Sequence, residues 1–346
     1  MTASHRIKTA NLALQGGGAH GAFTWGVLDR LLEEKRLAVQ GISGTSAGAM
    51  NAAMFKTGWL AGGNAGARDQ LDRFWGSIRS DAAARFAPLR NWLALLGPGA
   101  AEVATHLYRS PAYVVGDVLQ RSLSPYDWNP LNYHPLRDLL EEMVDWPAVC
   151  RDCVPHLFVA ATNVETGKIR VFEDRELSID VLLASACLPT LFQAIEIDGQ
   201  PYWDGGYTGN PPLFPLFRMP SRDIMIVHIN PIERPGVPRA ARDILNRINE
   251  ISFNSSLLRE LRAIDFAHRL IETGRIGRGE MADVLIHSIR DDETMAELNV
   301  ASKLMPDPAL LDHLRARGID AADAFLRRHW GDLNERGTVD LRAMFE

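Results

Sequence analysis

Cysteine is nearly absent: Cys150, Cys153 and Cys187 are the only three in 346 residues. So small and odd a number excludes a disulfide scaffold and fits a reduced, cytoplasmic setting. Cys150-x-x-Cys153 has the spacing of half a zinc ribbon, but the second pair is missing, so plain thiols and no metal are expected. Long apolar runs are missing too, since none approaches the roughly 20 residues of a membrane span. Met1 to Thr9 has no apolar centre, so no secretory leader is expected. An excess of positive charge is also lacking. Lys and Arg total 37 against 43 Asp and Glu, a net charge of −6. That argues against nucleic acid as the main partner and gives no attraction to anionic lipid. There is no internal repeat and no low-complexity tract.

Apolar residues, at 46% of the chain, are plentiful enough for one large or two modest domains. The first fifty residues read as a βαβ unit. Asn11 to Leu14 is a short strand, Gln15 to Gly21 a glycine loop, and Ala22 to Glu34 a helix with Phe23, Val27, Leu28, Leu31 and Leu32 as its apolar stripe. Leu37 to Ile42 is the second strand, and Ala49 to Phe55 a small-residue helix. A helix between two parallel strands implies a right-handed crossover and an α/β sandwich. Glycines at 58, 62, 63 and 66 loosen the next stretch, with helices expected near 68–79 and 110–122. Further strands are expected at Leu157 to Asn163, Lys168 to Phe172, Ile224 to Ile229 and Val284 to Ile289. A hairpin about Asp198-Gly199 joins Gln193 to Ile197 with Pro201 to Trp203. Pro231, Pro235 and Pro238 mark a connector, and Arg239 to Glu272 has helical periodicity. These features divide the chain into residues 8–230 and a mainly helical extension, 231–346.

Gly44-Thr45-Ser46-Ala47-Gly48 reads G-x-S-x-G between an apolar strand and a helix. Glycine at 44 and 48 permits a sharp strand-to-helix turn that exposes the serine hydroxyl at a helix N-terminus. The bland reading is a glycine turn with a serine cap. The loop Gln15-Gly16-Gly17-Gly18-Ala19-His20-Gly21 also allows two readings. Gly16, Gly18 and Gly21 fit the dinucleotide fingerprint, which wants a carboxylate at the end of the second strand. Here that strand runs into Gly41-Ile42-Ser43-Gly44. The other reading is an oxyanion hole, because consecutive glycines expose N–H groups that can converge on a developing charge. Two such loops at one sheet edge favour acyl hydrolysis.

A nucleophilic serine needs a base. Asp204, in Trp203-Asp204-Gly205-Gly206, is the best candidate, although Asp-Gly is also a common hairpin turn. Asn210-Pro211-Pro212 prevents a long helix after it. A Ser–Asp–His triad would have to recruit His228. That residue sits within an apolar strand and reads as a core histidine.

Taken together, the chain resembles the patatin-like phospholipase family over about residues 10 to 230. The matching pieces, in the family's order, are Gly16-Gly17-Gly18-Ala19-His20-Gly21, Gly44-Thr45-Ser46-Ala47-Gly48, Ala184-Ser185-Ala186-Cys187-Leu188-Pro189, and Asp204-Gly205-Gly206 with Asn210-Pro211. The resemblance implies a three-layer α/β/α sandwich with a mostly parallel sheet, followed by a helical C-terminal extension. It implies a catalytic dyad in which Ser46 attacks an ester carbonyl and Asp204 accepts its proton. It implies an oxyanion hole from the N–H groups of Gly17 and Gly18, helped by Gly16 and Ala47, with no metal or cofactor. The family often carries Arg or Lys where this chain has His20. Histidine is only partly charged at neutral pH, so His20 is read equally as a substrate contact or as the start of the helix.

Trp92, within the apolar stretch 89–98, is a candidate to cap an acyl pocket or touch a bilayer; a core helix is the alternative. The expected substrate is a lipid ester, of phospholipase A or lysophospholipase type, with peripheral membrane contact as an accompanying expectation. An acylglycerol or polyester substrate, or a non-catalytic lipid-binding role, are the alternatives.

Overall fold

In β1 (Lys8–Leu14), side-chain alternation sets the layering. Leu12 and Leu14 join one buried apolar cluster and Ala13 joins another on the opposite face of the sheet. The computed structural model describes residues 7–94, 124–132, 134, 136–277, 279–298, 302–303 and 306–346, without the side chains of 81–94, 128, 241 and 242. The helix expected at 110–122 and the side chain of Trp92 therefore lie outside the described residues.

Seven further strands complete the sheet: β2 (Leu37–Gly44), β3 (His156–Asn163), β4 (Ile169–Glu173), β5 (Ile195–Ile197), β6 (Gln200–Asp204), β7 (Asp223–Val227) and β8 (Leu285–Ile289). Strands β3, β2, β1, β7 and β8 lie in that order and run parallel. Strands β4 and β6 run antiparallel to β3, and β5 pairs antiparallel with β6. Helices α1 (Gly21–Glu33), α2 (Ala47–Ala94), α3 (Ile179–Ser185) and α5 (Pro308–His329) pack on one face; α4 (Ala241–Glu272) covers the other through Leu257, Leu261 and Ile264. The result is the three-layer α/β/α sandwich expected.

Two features differ from the expected elements. Of the glycines at 58, 62, 63 and 66, Gly62 and Gly63 interrupt the helix as expected, whereas Gly58 and Gly66 lie at a close helix–helix approach. Helix α2 continues on both sides of them, and only Gly62 and Gly63 leave helical geometry, Gly63 with φ of 61°. The two arms fold back on each other: Trp75 Nε1 donates to Asn51 Oδ1 at 2.9 Å, and a Cβ on Gly58 would lie 2.2 Å from the Gly66 carbonyl oxygen. Strand β7 also stops at Val227, so His228 lies one residue beyond the strand, still buried.

The region after residue 230 is built into the sandwich. Strand β8 extends the sheet beyond β7. Helix α5 crosses α1 at two reciprocal glycines. A Cβ on Gly26 would lie 2.0 Å from the Arg315 carbonyl oxygen, and one on Gly318 would lie 2.1 Å from that of Phe23. Arg315 fastens the crossing, donating at 3.0 Å to both Asp29 and Asp72.

The ladder of β3 explains how distant segments meet. Val159 pairs with Gly44 on one side and Phe172 on the other, while Ala161 pairs with Asp204 on one side and Arg170 on the other. Strands β2 and β6 therefore share one edge of β3, and their C-terminal ends abut there. The pairing points lie two positions apart on β3, a span of about 7 Å. The contact is tight, because a Cβ on Gly205 would lie 3.0 Å from the Thr45 methyl.

Candidate active site

Ser46 occupies the turn between β2 and α2 with φ of 54°, a left-handed conformation that a non-glycine residue adopts only under constraint. The constraint is visible on both sides. A Cβ on Gly44 would lie 2.7 Å from the Gly48 backbone, and one on Gly48 would lie 2.2 Å from the Leu14 carbonyl oxygen. Thr45 Oγ1 donates to the Gly209 carbonyl at 2.7 Å, and the Ser46 N–H donates to Ser185 Oγ at 2.9 Å. These bonds hold the elbow that the G-x-S-x-G spacing predicts.

The Asp204 carboxylate belongs to a buried residue, 2% exposed, that lines one cavity with Ser46. Gly206 N–H donates to the same carboxylate at 2.7 Å, and Asp204 N–H donates to the Cys187 carbonyl at 2.8 Å. Residues 185–187 thus grip both halves of the pair. Burial pushes the Asp204 carboxyl up to about 6, while the Gly206 N–H, the Ser46 side chain and the positive charge of Lys303 pull it down. It is mostly ionised at neutral pH and able to accept a proton.

The glycine loop lies directly against the serine: a Cβ on Gly16 would lie 2.7 Å from Ser46 Cβ. Gly18 has φ of 57°, and a side chain there would meet the Lys303 carbonyl oxygen at 2.2 Å. The N–H groups of Gly17, Gly18 and Ala47 have no acceptor among the described residues. Gly16 corrects the expectation, since its N–H is already committed to Asn210 Oδ1 at 2.6 Å. Its carbonyl accepts from Asn230 Nδ2 at 2.9 Å. Gln15 extends this buried network, with Oε1 accepting from the N–H groups of Ile229 and Asn230 at 2.9 and 3.0 Å and Nε2 donating to Asn254 Oδ1 at 3.1 Å. Gly16 is therefore an anchor of the loop, and Gly17, Gly18 and Ala47 are the free donors.

Neither His20 nor His228 is hydrogen-bonded to Ser46 or Asp204 among the described residues. His20 is buried at 2% exposure, with Nε2 2.8 Å from Ser302 Oγ, and burial together with the charge of Lys303 holds its pKa well below the ordinary value. A neutral, enclosed imidazole is no cation for a headgroup, so the substrate-contact reading of His20 does not hold. His228 has neither ring nitrogen bonded, and burial pulls its pKa to about 3. It is a core residue.

Ser46, Asp204 and residues 16–18 open into one cavity of about 420 Å³ with apolar walls that include Met50, Phe74, Trp75, Ile78, Leu188 and Phe192. Its size and lining suit a ligand with an apolar chain. A patatin-like phospholipase family model matches residues 12–217, well over half of the sequence. The chain belongs to the patatin-like phospholipase family. Membership brings lipid acyl hydrolysis as the general class of activity. Among solved structures, VipD from Legionella pneumophila is similar at 14% identity and a TM-score of 0.38, with 95% of this chain and 72% of that one covered. A chain of the heterodimeric ExoU–SpcU complex from the type III secretion system of Pseudomonas aeruginosa is similar at 18% identity and a TM-score of 0.38. There 93% of this chain is covered, but it spans only 52% of that chain's length. No curated protein sequence matches. Among the described residues no helix is long and apolar enough to cross a membrane.

Several site residues are silent or ambiguous in the sequence. Ser185 and Asn210 stand within the family's motif pieces, but nothing local gives them a task. Gln15, Asn230 and Lys303 carry no local signal, because their roles arise only from long-range packing.

Proposed function

We propose that this patatin-like protein hydrolyses carboxylic esters of phospholipids or lysophospholipids through a Ser46–Asp204 dyad. The observation that carries this reading is one apolar cavity lined by Ser46, the buried carboxylate of Asp204 and the free backbone donors of the glycine loop. Ser46 Oγ attacks the ester carbonyl carbon as its proton passes to Asp204. The N–H groups of Gly17, Gly18 and Ala47 take the developing oxyanion, helped by the N-terminal end of α2. Collapse breaks the acyl–oxygen bond, and Asp204 returns the proton to the departing alkoxide. Water, deprotonated by Asp204, then frees the fatty acid from the acyl-serine. The apolar walls hold the acyl chain, and the lipid substrate makes peripheral contact with a membrane surface part of this reading.

Mass analysis of a phospholipid mixture incubated with the purified protein tests the proposal. Release of free fatty acid and lysophospholipid, lost in Ser46→Ala, is the expected result. Intact lipid together with failure of a fluorophosphonate to label Ser46 would refute it.

A further inference from the structure

Lys303 comes from a segment far outside the family match, yet it lines the same cavity as Ser46 and Asp204. Its Nζ donates to Asn230 Oδ1 at 2.6 Å and lies 5.6 Å from the centre of the Phe253 ring. An ammonium carries three donors, and one neutral amide oxygen takes only one of them. No carboxylate lies within ion-pairing distance of Lys303 among the described residues. The charged groups around it are otherwise engaged. Glu250 is held by Arg234 and Arg247 at 2.6 and 3.2 Å, and the Asp204 carboxylate accepts from the Gly206 N–H at 2.7 Å.

A buried cation without a paired anion is costly, because desolvation is not offset by a salt bridge. Burial and Arg234 pull the Lys303 pKa down to about 8, against Glu250 and Asp204, which raise it. The ammonium still predominates at neutral pH. His20, the other basic group near the glycine loop, is uncharged and tied to Ser302. Lys303 is thus the cation that the cavity offers to a ligand. Its backbone also rests against Gly18, which places the residue beside the glycine loop.

We propose that Lys303 forms an anion subsite, its ammonium taking the phosphodiester of a glycerophospholipid whose ester carbonyl lies at Ser46. The proposal rests on the acyl-hydrolase reading and deepens it: it makes the protein selective for phospholipid over the neutral acylglycerol of the same acyl chains.

The test compares kcat/KM for phosphatidylcholine and for the matching diacylglycerol, in the same mixed micelles, for wild type, Lys303→Met and Lys303→Arg. The neutral ester reports whatever the substitution does to Ser46 and Asp204, so the ratio isolates the anion subsite. In Lys303→Met the ratio of phospholipid to diacylglycerol is expected to fall about tenfold or more, the worth of one charge-assisted hydrogen bond. Lys303→Arg is expected to restore most of it. An unchanged ratio overturns the proposal. A second arm is independent of turnover: glycerophosphocholine binding followed by ³¹P NMR. Weaker binding to Lys303→Met supports the subsite, and equal binding overturns it. Inorganic phosphate binding as tightly as the diester assigns the subsite to free phosphate and overturns the lipid assignment. Absence of any Ser46-dependent ester cleavage refutes the hydrolase reading, while the binding arm still decides the role of Lys303.

Discussion

Ser46 and Asp204 line one cavity where the C-terminal ends of β2 and β6 abut along one edge of β3. The sheet register therefore sets the spacing of the proposed nucleophile and base. Ser46→Ala and Asp204→Asn are each expected to lower kcat/KM for a chromogenic ester at least about 10³-fold. His228→Asn is expected to keep most of the activity, since neither imidazole nitrogen is engaged. Steady-state rates on folded protein, checked by circular dichroism, decide this; a comparable loss in His228→Asn would point to a triad.

The pH dependence follows from the burial of Asp204, which raises its pKa to about 6. The base works only when ionised, so kcat/KM on a neutral ester should fall tenfold per pH unit below about 6. A profile of kcat/KM from pH 4.5 to 7.5 would show a single acid limb. A limb near 4 would mean that Asp204 is solvated and not the buried base described.

The same shift makes Asp204 a stability cost. Its pKa is raised in the folded protein, so the native state binds the proton more tightly than the unfolded chain. Stability then falls as pH rises from about 4 to about 6, and the full cost persists above. The difference between the ordinary 3.8 and about 6 corresponds to at most about 3 kcal/mol. Asp204→Asn should thus raise the melting temperature at pH 7.5 while abolishing turnover, with the gain shrinking towards pH 4. Thermal melts at both pH values measure it, and equal or lower stability at pH 7.5 counts against the buried, ionised carboxylate.

Local and long-range causes differ in how far the sequence reveals them. The elbow is legible because its cause is local: Gly44 and Gly48 sit where a Cβ cannot, and the spacing alone reveals that. The central strands and α1 are legible for the same reason, through apolar runs and helical periodicity. Asp204 needs more, since Asp-Gly is an ordinary turn; only its order among the other motif pieces singles it out. The sequence misleads at Gly16 because nothing local shows that Asn210 claims its N–H. It misleads at His20 because the hydrogen-bond partner of its imidazole is Ser302, far away in sequence. Four glycines between 58 and 66 suggest loosening, which holds at Gly62 and Gly63; those at 58 and 66 instead bring two helical arms together.

The glycine loop can be tested without touching the dyad. Gly18→Ala forces a side chain into a left-handed position and against the Lys303 carbonyl oxygen, 2.2 Å from the new Cβ. The loop must shift, and the free N–H groups of Gly17 and Gly18 shift with it. A loss of about 10²-fold in kcat with little change in KM is expected, as for removal of an oxyanion donor. Fluorophosphonate labelling of Ser46 should slow in parallel, because the phosphonyl oxygen uses the same donors. Unimpaired kcat would remove Gly17 and Gly18 from the oxyanion hole.

The crossing of α1 and α5 bears on the site because the chain runs from Lys303 into α5. Gly318 allows that crossing, with the Phe23 carbonyl oxygen 2.1 Å from where a Cβ would sit. Gly318→Ala should therefore push the helices apart and cost about 1–3 kcal/mol, the usual penalty of overpacking. Gly331→Ala is the matched control, since a Cβ there meets nothing within 4 Å. If the crossing also seats Lys303 beside Gly18, Gly318→Ala should lower the phospholipid-to-diacylglycerol ratio below the melting transition, whereas Gly331→Ala should not. Thermal melts and the two-substrate assay separate the effects. Lower stability with an unchanged ratio would mean that Lys303 is held by Asn230 and the glycine loop alone, independent of the helix that follows it.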